Sequence, residues 1–146
     1  MESTGMSEGE APKSGTFSFP DGSSYSGEYS VDASGAKVRS GKGVYTSASE
    51  KYSGGWLADR MHGEGTYHFA SGAVYQGGFQ DGFFAGFGTY SWPDGARYAG
   101  NWLQSKMHGE GEYVDAQKIA SRGYFYNGQF DSGRSYVSLR PPSIPS

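Results

Sequence analysis

Two histidines sit in identical settings, His62-Gly63-Glu64 and His108-Gly109-Glu110, and His-Gly-Glu strings invite a metal site. A zinc ion needs about four ligands, each about 2 Å from it. The two strings belong to units that lie two repeats apart. If each unit is a hairpin, four strands separate them, roughly 19 Å along a sheet. They cannot share an ion, and no third ligand lies near either. His68 is equally isolated. The Gly-x-Gly strings resemble phosphate loops, but a dinucleotide fingerprint needs a third glycine opening a helix, and no helical periodicity follows. Glu110 and Glu112 form a carboxylate pair two residues apart on one strand face, open to water. Acid–base pairs work in a cleft that perturbs their pKa values. No nucleophile–base arrangement stands out either, so the expectation is no enzyme, no metal and no cofactor.

What these residues share is a repeating frame. Tyr-x-Gly-x-aromatic occurs at Tyr25–Tyr29, Tyr52–Trp56, Tyr75–Phe79, Tyr98–Trp102 and Tyr126–Phe130. Gly-x-Gly-x-Tyr follows at Gly41–Tyr45, Gly63–Tyr67, Gly86–Tyr90 and Gly109–Tyr113. A fixed period in the range of about 20–50 residues means an array of one small unit. Numbering a unit from its tyrosine, positions 1, 3, 5 and 12, 14, 16 alternate, which is strand periodicity. A connection of about six residues suits a hairpin. Pairing 5 with 12, 3 with 14 and 1 with 16 sets tyrosine against tyrosine and glycine against glycine. The bare glycines let the rings lie flat on the sheet, where cross-strand aromatic pairs stabilise it. Positions 2, 4, 13 and 15 (Ser53, Gly55, Glu64 and Thr66; Ala99, Asn101, Glu110 and Glu112) make a wet opposite face. Pro20-Asp21-Gly22, Ser71-Gly72 and Pro93-Asp94-Gly95 are turn strings between units. The expected fold is all-β: an elongated, twisted, single-layer antiparallel meander of about ten strands, about 45–50 Å long.

Composition agrees with a sheet that lacks a layered core. Of 146 residues only 35% are hydrophobic, yet 16% are aromatic and 25 are glycine. The absence of cysteine excludes disulfides and thiolate metal sites and fits an intracellular protein. Net charge is −3 with no Lys/Arg cluster, which argues against nucleic acid. It also disfavours anionic lipid, where each well-placed basic residue adds about 1 kcal/mol. Residues 1–13 read as a polar, disordered segment rather than a secretory signal, 14–131 as the repeat array, and 132–146 as an extended, mobile Pro-rich tail. No stretch approaches a membrane span.

Tyr-x-Gly-x-Trp, then His-Gly-x-Gly-x-Tyr, then Pro-Asp-Gly resembles the MORN repeat (membrane occupation and recognition nexus). The best copies are residues 52–74, 75–97 and 98–113, and the likeness covers about residues 15–130. The stretch from Ser71 to Phe130 is also similar to a small vertebrate member of that family linked to sperm development and phagocytosis. The resemblance implies a scaffold, in relatives attached to a lipid kinase or a lysine methyltransferase domain, or standing nearly alone in cytoskeletal, flagellar and cell-division structures. It also implies phospholipid binding as an alternative, with Arg60 and Lys106 along one row of turns, interrupted by Phe83 and partly neutralised by Asp59 and Asp81. Three features depart from the pattern: the insertion Val31–Arg39, the turn Ser49-Glu50-Lys51, and Asp115–Arg122 in place of Pro-Asp-Gly.

The leading expectation is therefore a non-enzymatic adaptor in a cytoskeletal, ciliary or axonemal assembly of the cytoplasm. Its expected protein partner, such as a helical segment, meets an aromatic groove made by Tyr52, Trp56, Tyr75, Phe79, Tyr98 and Trp102. The groove or a sheet edge could equally join two copies of the chain. Phe83, Phe84 and Phe87 add a central patch. Phe83 stands where neighbouring units carry Arg60 or Lys106, and Phe87 where they carry Glu64 or Glu110. Exposed apolar patches mark interaction surfaces. Phe83 and Phe84 could also tuck against neighbouring turns beside Met61 and Met107.

Overall fold

The computed structural model describes residues 13–145. The segment expected to be disordered, residues 1–13, lies outside the described residues except for Lys13. Among the described residues the chain forms one twelve-stranded antiparallel sheet whose spatial order is its sequence order. The strands are β1 (Lys13–Ser18), β2 (Ser24–Val31), β3 (Lys37–Thr46), β4 (Lys51–Leu57), β5 (Arg60–His68) and β6 (Val74–Gln80). They continue as β7 (Phe83–Ser91), β8 (Arg97–Leu103), β9 (Lys106–Val114), β10 (Ala120–Tyr126), β11 (Gln129–Asp131) and β12 (Tyr136–Val137). The single-layer all-β meander is as expected, with two strands more than the repeat count suggests.

The register is as expected at its centre and differs at its ends. Within the β4–β5 hairpin Tyr52 pairs with Tyr67 and Gly54 with Gly65. Trp56, however, pairs with Met61 across a bulge, not with Gly63. Gly63 pairs instead with Phe79 of the following unit. The pairing of position 5 with position 12 is therefore made between units, and position 5 meets position 10 within one. The cause is the turn, which is tighter than six residues. Ala58 and Asp59 (φ 49° and 72°), Gln104 and Ser105 (φ 50° and 65°), and Asn127 and Gly128 (φ 52° and 89°) all sit in the left-handed region. Two consecutive left-handed residues make the two-residue turn that matches strand twist. Residues freed from the loop join the strand, and the bulge absorbs the excess.

Each tip also bonds to the unit before it. Asp59, Gly82, Ser105 and Gly128 donate their backbone N–H groups to Arg39, Met61, Phe84 and Met107, at 2.8–3.0 Å. At Ser105 the link is reciprocal, because Phe84 N–H donates to Ser105 Oγ at 3.0 Å. That exchange accounts for a serine buried among rings.

The same frame relocates the fifth unit. Gly123 pairs with Gly111 and Ser121 with Tyr113. Ser121 thus holds the tyrosine position, Phe125 the second aromatic position, and Gly128 belongs to a turn. The expected unit Tyr126–Phe130 is a chance likeness, placed five residues too late. The insertion Val31–Arg39 lengthens the β2–β3 arms, closed by a turn over Asp32–Ala36.

The segment expected as an extended, mobile tail begins with a turn at Ser132–Ser135 and, through its described residues up to 145, keeps contact with the sheet. Tyr136 and Val137 form β12 against β11. Beyond them Leu139 packs against the core and Arg140 pairs with Asp94 at 2.7 Å.

Candidate functional site

The two faces of the sheet do different work. On the inner face the rings interlock edge to face along the array, alternating tyrosine with the second aromatic: Tyr25–Trp56 at 5.3 Å, Tyr52–Trp56 at 5.2 Å, Tyr52–Phe79 at 4.9 Å and Tyr75–Phe79 at 5.2 Å. The ladder continues through Tyr75–Trp102 at 5.5 Å, Tyr98–Trp102 at 5.1 Å and Tyr98–Phe125 at 4.9 Å. Edge-to-face contact suits the ring quadrupoles. Each tyrosine hydroxyl donates to the carbonyl three residues on: Tyr25 to Glu28, Tyr52 to Gly55, Tyr75 to Gly78 and Tyr98 to Asn101, at 2.6–3.0 Å. Trp56 and Trp102 donate Nε1–H to Gly43 and Gly88 carbonyls at 3.1 Å. Burial, partly offset by the Arg39 charge, pushes the Tyr25 hydroxyl up to about 12, and burial likewise raises Tyr52, Tyr75, Tyr98 and Tyr67, the last helped by its hydrogen bond to Glu50.

This burial decides where the expected site residues lie. Tyr52, Trp56, Tyr75, Phe79, Phe84, Tyr98 and Trp102 are all in the core. They are the fold's own packing, and the rings expected to face a partner instead face one another. Phe84 stacks on Tyr75 at 3.9 Å and 12°. It takes the place that Met61 and Met107 hold in adjacent units, and that Arg39 holds over Trp56 at 4.3 Å in the first. Arg39 is fixed there by Asp59 Oδ1 at 2.6 Å. Burial raises the Asp59 carboxyl, but the Arg39 hydrogen bonds and charge outweigh it and leave the group below the usual carboxylate range.

An open groove of about 950 Å³ remains on the inner face. Phe19, Tyr45, Trp56, Met61 and Tyr67 line it, with Arg39, Glu50, Asp59 and Arg60 among them and Pro145 at its border. Glu50 accepts from Tyr67 Oη at 2.7 Å and from Ala70 N–H at 3.1 Å.

The outer face keeps two of the expected residues in solvent. Phe83 is 45% exposed and Phe87 63% exposed. Phe87 is opposite Asn101, Asn101 Nδ2–H donates to Glu110 O at 3.2 Å, and Glu110 is opposite Tyr124. Tyr124 is 55% exposed. The two rings thus end one cross-strand row, three strand spacings or roughly 14 Å apart. Between them lies a trough of about 620 Å³ lined by Ala99, Asn101, Glu110, Glu112 and Arg122. Arg122 pairs with Glu112 at 3.1 Å. Tyr124 is the partner of Phe87 that the sequence reading misses. Its signal is readable only once the fifth unit starts at Ser121, which puts Tyr124 at an outer-face position.

The histidines have local roles. His108 Nδ1 accepts the Asn127 N–H at 3.3 Å, securing the β10–β11 tip. His62 holds the equivalent place, with Nδ1 buried and without a hydrogen-bond partner. Among the described residues no group of three or more His, Asp or Glu could hold a metal ion. Nor is any helix there long and apolar enough to cross a membrane.

Comparison with known proteins agrees with this frame. Over 64 residues, 43% of this chain, the sequence is 38% identical to MORN repeat-containing protein 3 of Xenopus laevis, and that stretch spans 27% of the relative's length. The MORN repeat family matches residues 14–24, 37–50, 52–74, 75–97 and 98–117. With most of its length matched and the repeat geometry in place, the chain belongs to the MORN repeat family.

Proposed function

We propose that this protein is a non-enzymatic scaffold that binds a protein partner through its outer face, at the row running from Phe87 to Tyr124. The observation that carries the reading is the exposure of Phe87, 63%, on the outer face of a sheet whose central repeat-frame rings are buried on the other. Neighbouring units place Glu64 and Glu110 at that position, so the repeat frame does not call for a ring there. Aromatic anchors beside polar groups are how interfaces concentrate affinity. An α-helix is about 10–12 Å across with its side chains, so it fits between rings roughly 14 Å apart. Glu110, Glu112 and Arg122 would set its direction and register.

The assembly that the family resemblance favours is cytoskeletal or axonemal, and the cytoplasm is the matching compartment. Self-association through the same row would use the same chemistry. The inner groove, with buried rings at its floor, is a secondary surface in this account.

Anionic lipid is the competing ligand. Vesicle co-sedimentation across salt concentrations separates the two readings. The protein reading expects no vesicle binding that depends on acidic lipid. Retention that needs acidic lipid and disappears at high salt would contradict it.

A further inference from the structure

Residues 138–145 follow β12 without forming another strand, and they fold back over the inner face. Arg140 lies over the Trp92 indole at 5.1 Å and gives Nη1–H to Asp94 Oδ2 at 2.7 Å. Ser143 N–H donates to the Tyr90 hydroxyl at 3.0 Å. Leu139 packs on the core, and Pro145 borders the open groove. Among the described residues no backbone-to-backbone bond outside the strand ladders extends past Ser135. Pro141, Pro142 and Pro145 have no N–H to offer, and the proline pair keeps the backbone extended.

These contacts are those of a peptide held in a groove. One arginine is anchored by a carboxylate and an aromatic face, one amide by a hydroxyl, and Leu139 packs on the core beside them. Arginine suits such a clamp because its planar cation stacks and bonds at once. Asp94 holds its other oxygen on the Ala96 N–H at 3.1 Å, so the carboxylate is aimed before any arginine arrives. We propose that the inner face over Tyr90, Trp92 and Asp94 is a recognition site for extended segments in which an arginine precedes a proline pair. Leu139–Pro145 is its occupant in cis, and a partner segment of the same chemistry displaces it. Displacement is possible because, among the described residues, no backbone-to-backbone bond outside the strand ladders holds the segment, and its arginine is anchored from the Trp92 face and Asp94 together. What retains the segment is its short tether, which sets an effective concentration on the order of millimolar. This site is on the opposite face from the Phe87–Tyr124 row and does not depend on it.

The test uses a labelled peptide with the sequence of residues 136–145, read by fluorescence anisotropy against full-length chains. Wild type should bind weakly, because its own segment competes. Arg140→Ala should bind at least about tenfold more tightly, since the cis occupant has lost its anchor. Adding Asp94→Asn should abolish that gain, while Phe87→Glu should leave peptide binding unchanged. Equal binding to wild type and Arg140→Ala, absence of binding to both, or indifference to Asp94→Asn would overturn the proposal. So would loss of the β-sheet circular dichroism in Arg140→Ala, which would make the segment part of the fold rather than its ligand.

Discussion

The Tyr75 ring lies over Gly88 so closely that a Cβ there would overlap the phenol. The same relationship joins Tyr25 with Gly43, Tyr52 with Gly65 and Tyr98 with Gly111. Glycine in these strands is thus a packing residue, the floor on which each ladder ring rests.

Gly88→Ala should therefore destabilise the array by about 1–3 kcal/mol through overpacking. Gly86→Ala, where a Cβ meets open space, should pay only for its left-handed backbone (φ 73°), about 1–2 kcal/mol. Urea unfolding of both variants checks the order. The comparison requires equal denaturant slopes in the two variants.

The register of the last unit gives a sharper contrast. Phe125→Ala removes a buried ring edge-on to Tyr98 and should cost about 3–5 kcal/mol. Tyr126→Ala removes an exposed ring and should stay within about 0.5 kcal/mol of wild type. Equal effects would restore the unit that begins at Tyr126.

Burial of the tyrosines makes the fold sensitive to alkali. Their folded pKa values lie above the ordinary 10, with Tyr25 at about 12. A raised value means that the neutral phenol is favoured by folding. This stability is complete below pH 10 and declines as pH rises through the folded values. Tyrosinate absorbance should lag the free phenol curve, then rise together with loss of β-sheet circular dichroism. Ionisation of all tyrosines near pH 10 with the sheet intact would contradict the burial.

Much of the fold is legible in the sequence, because Tyr-x-Gly-x-aromatic and Gly-x-Gly-x-Tyr each encode a face and a partner. The outer-face position of Phe87 follows from the same alternation. The two-residue turns do not, since Ala58-Asp59 and Gln104-Ser105 lack the glycine or asparagine that usually marks left-handed pairs. Without those turns the bulge and the pairing of Trp56 with Met61 are hidden. Tyr126-Asn127-Gly128-Gln129-Phe130 mimics the motif and masks the true fifth unit, and with it Tyr124. The groove is misread because alternation gives a residue's face but not whether its neighbours cover it. The docking of Arg140 and Ser143 joins residues 46 and 53 positions apart, beyond any local pattern.

Tyr124→Glu should behave like Phe87→Glu if the two rings anchor one partner. Both should keep stability within about 0.5 kcal/mol of wild type, as exposed substitutions do. Thermal unfolding checks the first half of this statement, and partner capture the second.

Capture of partners from cells by the intact protein and by Phe87→Glu, side by side and read by mass spectrometry, tests the central claim most directly. The account predicts cytoskeletal or axonemal proteins retained by the first and lost by the second, with both baits equally folded. Identical partner sets on the two baits would contradict it and move recognition away from the Phe87–Tyr124 row.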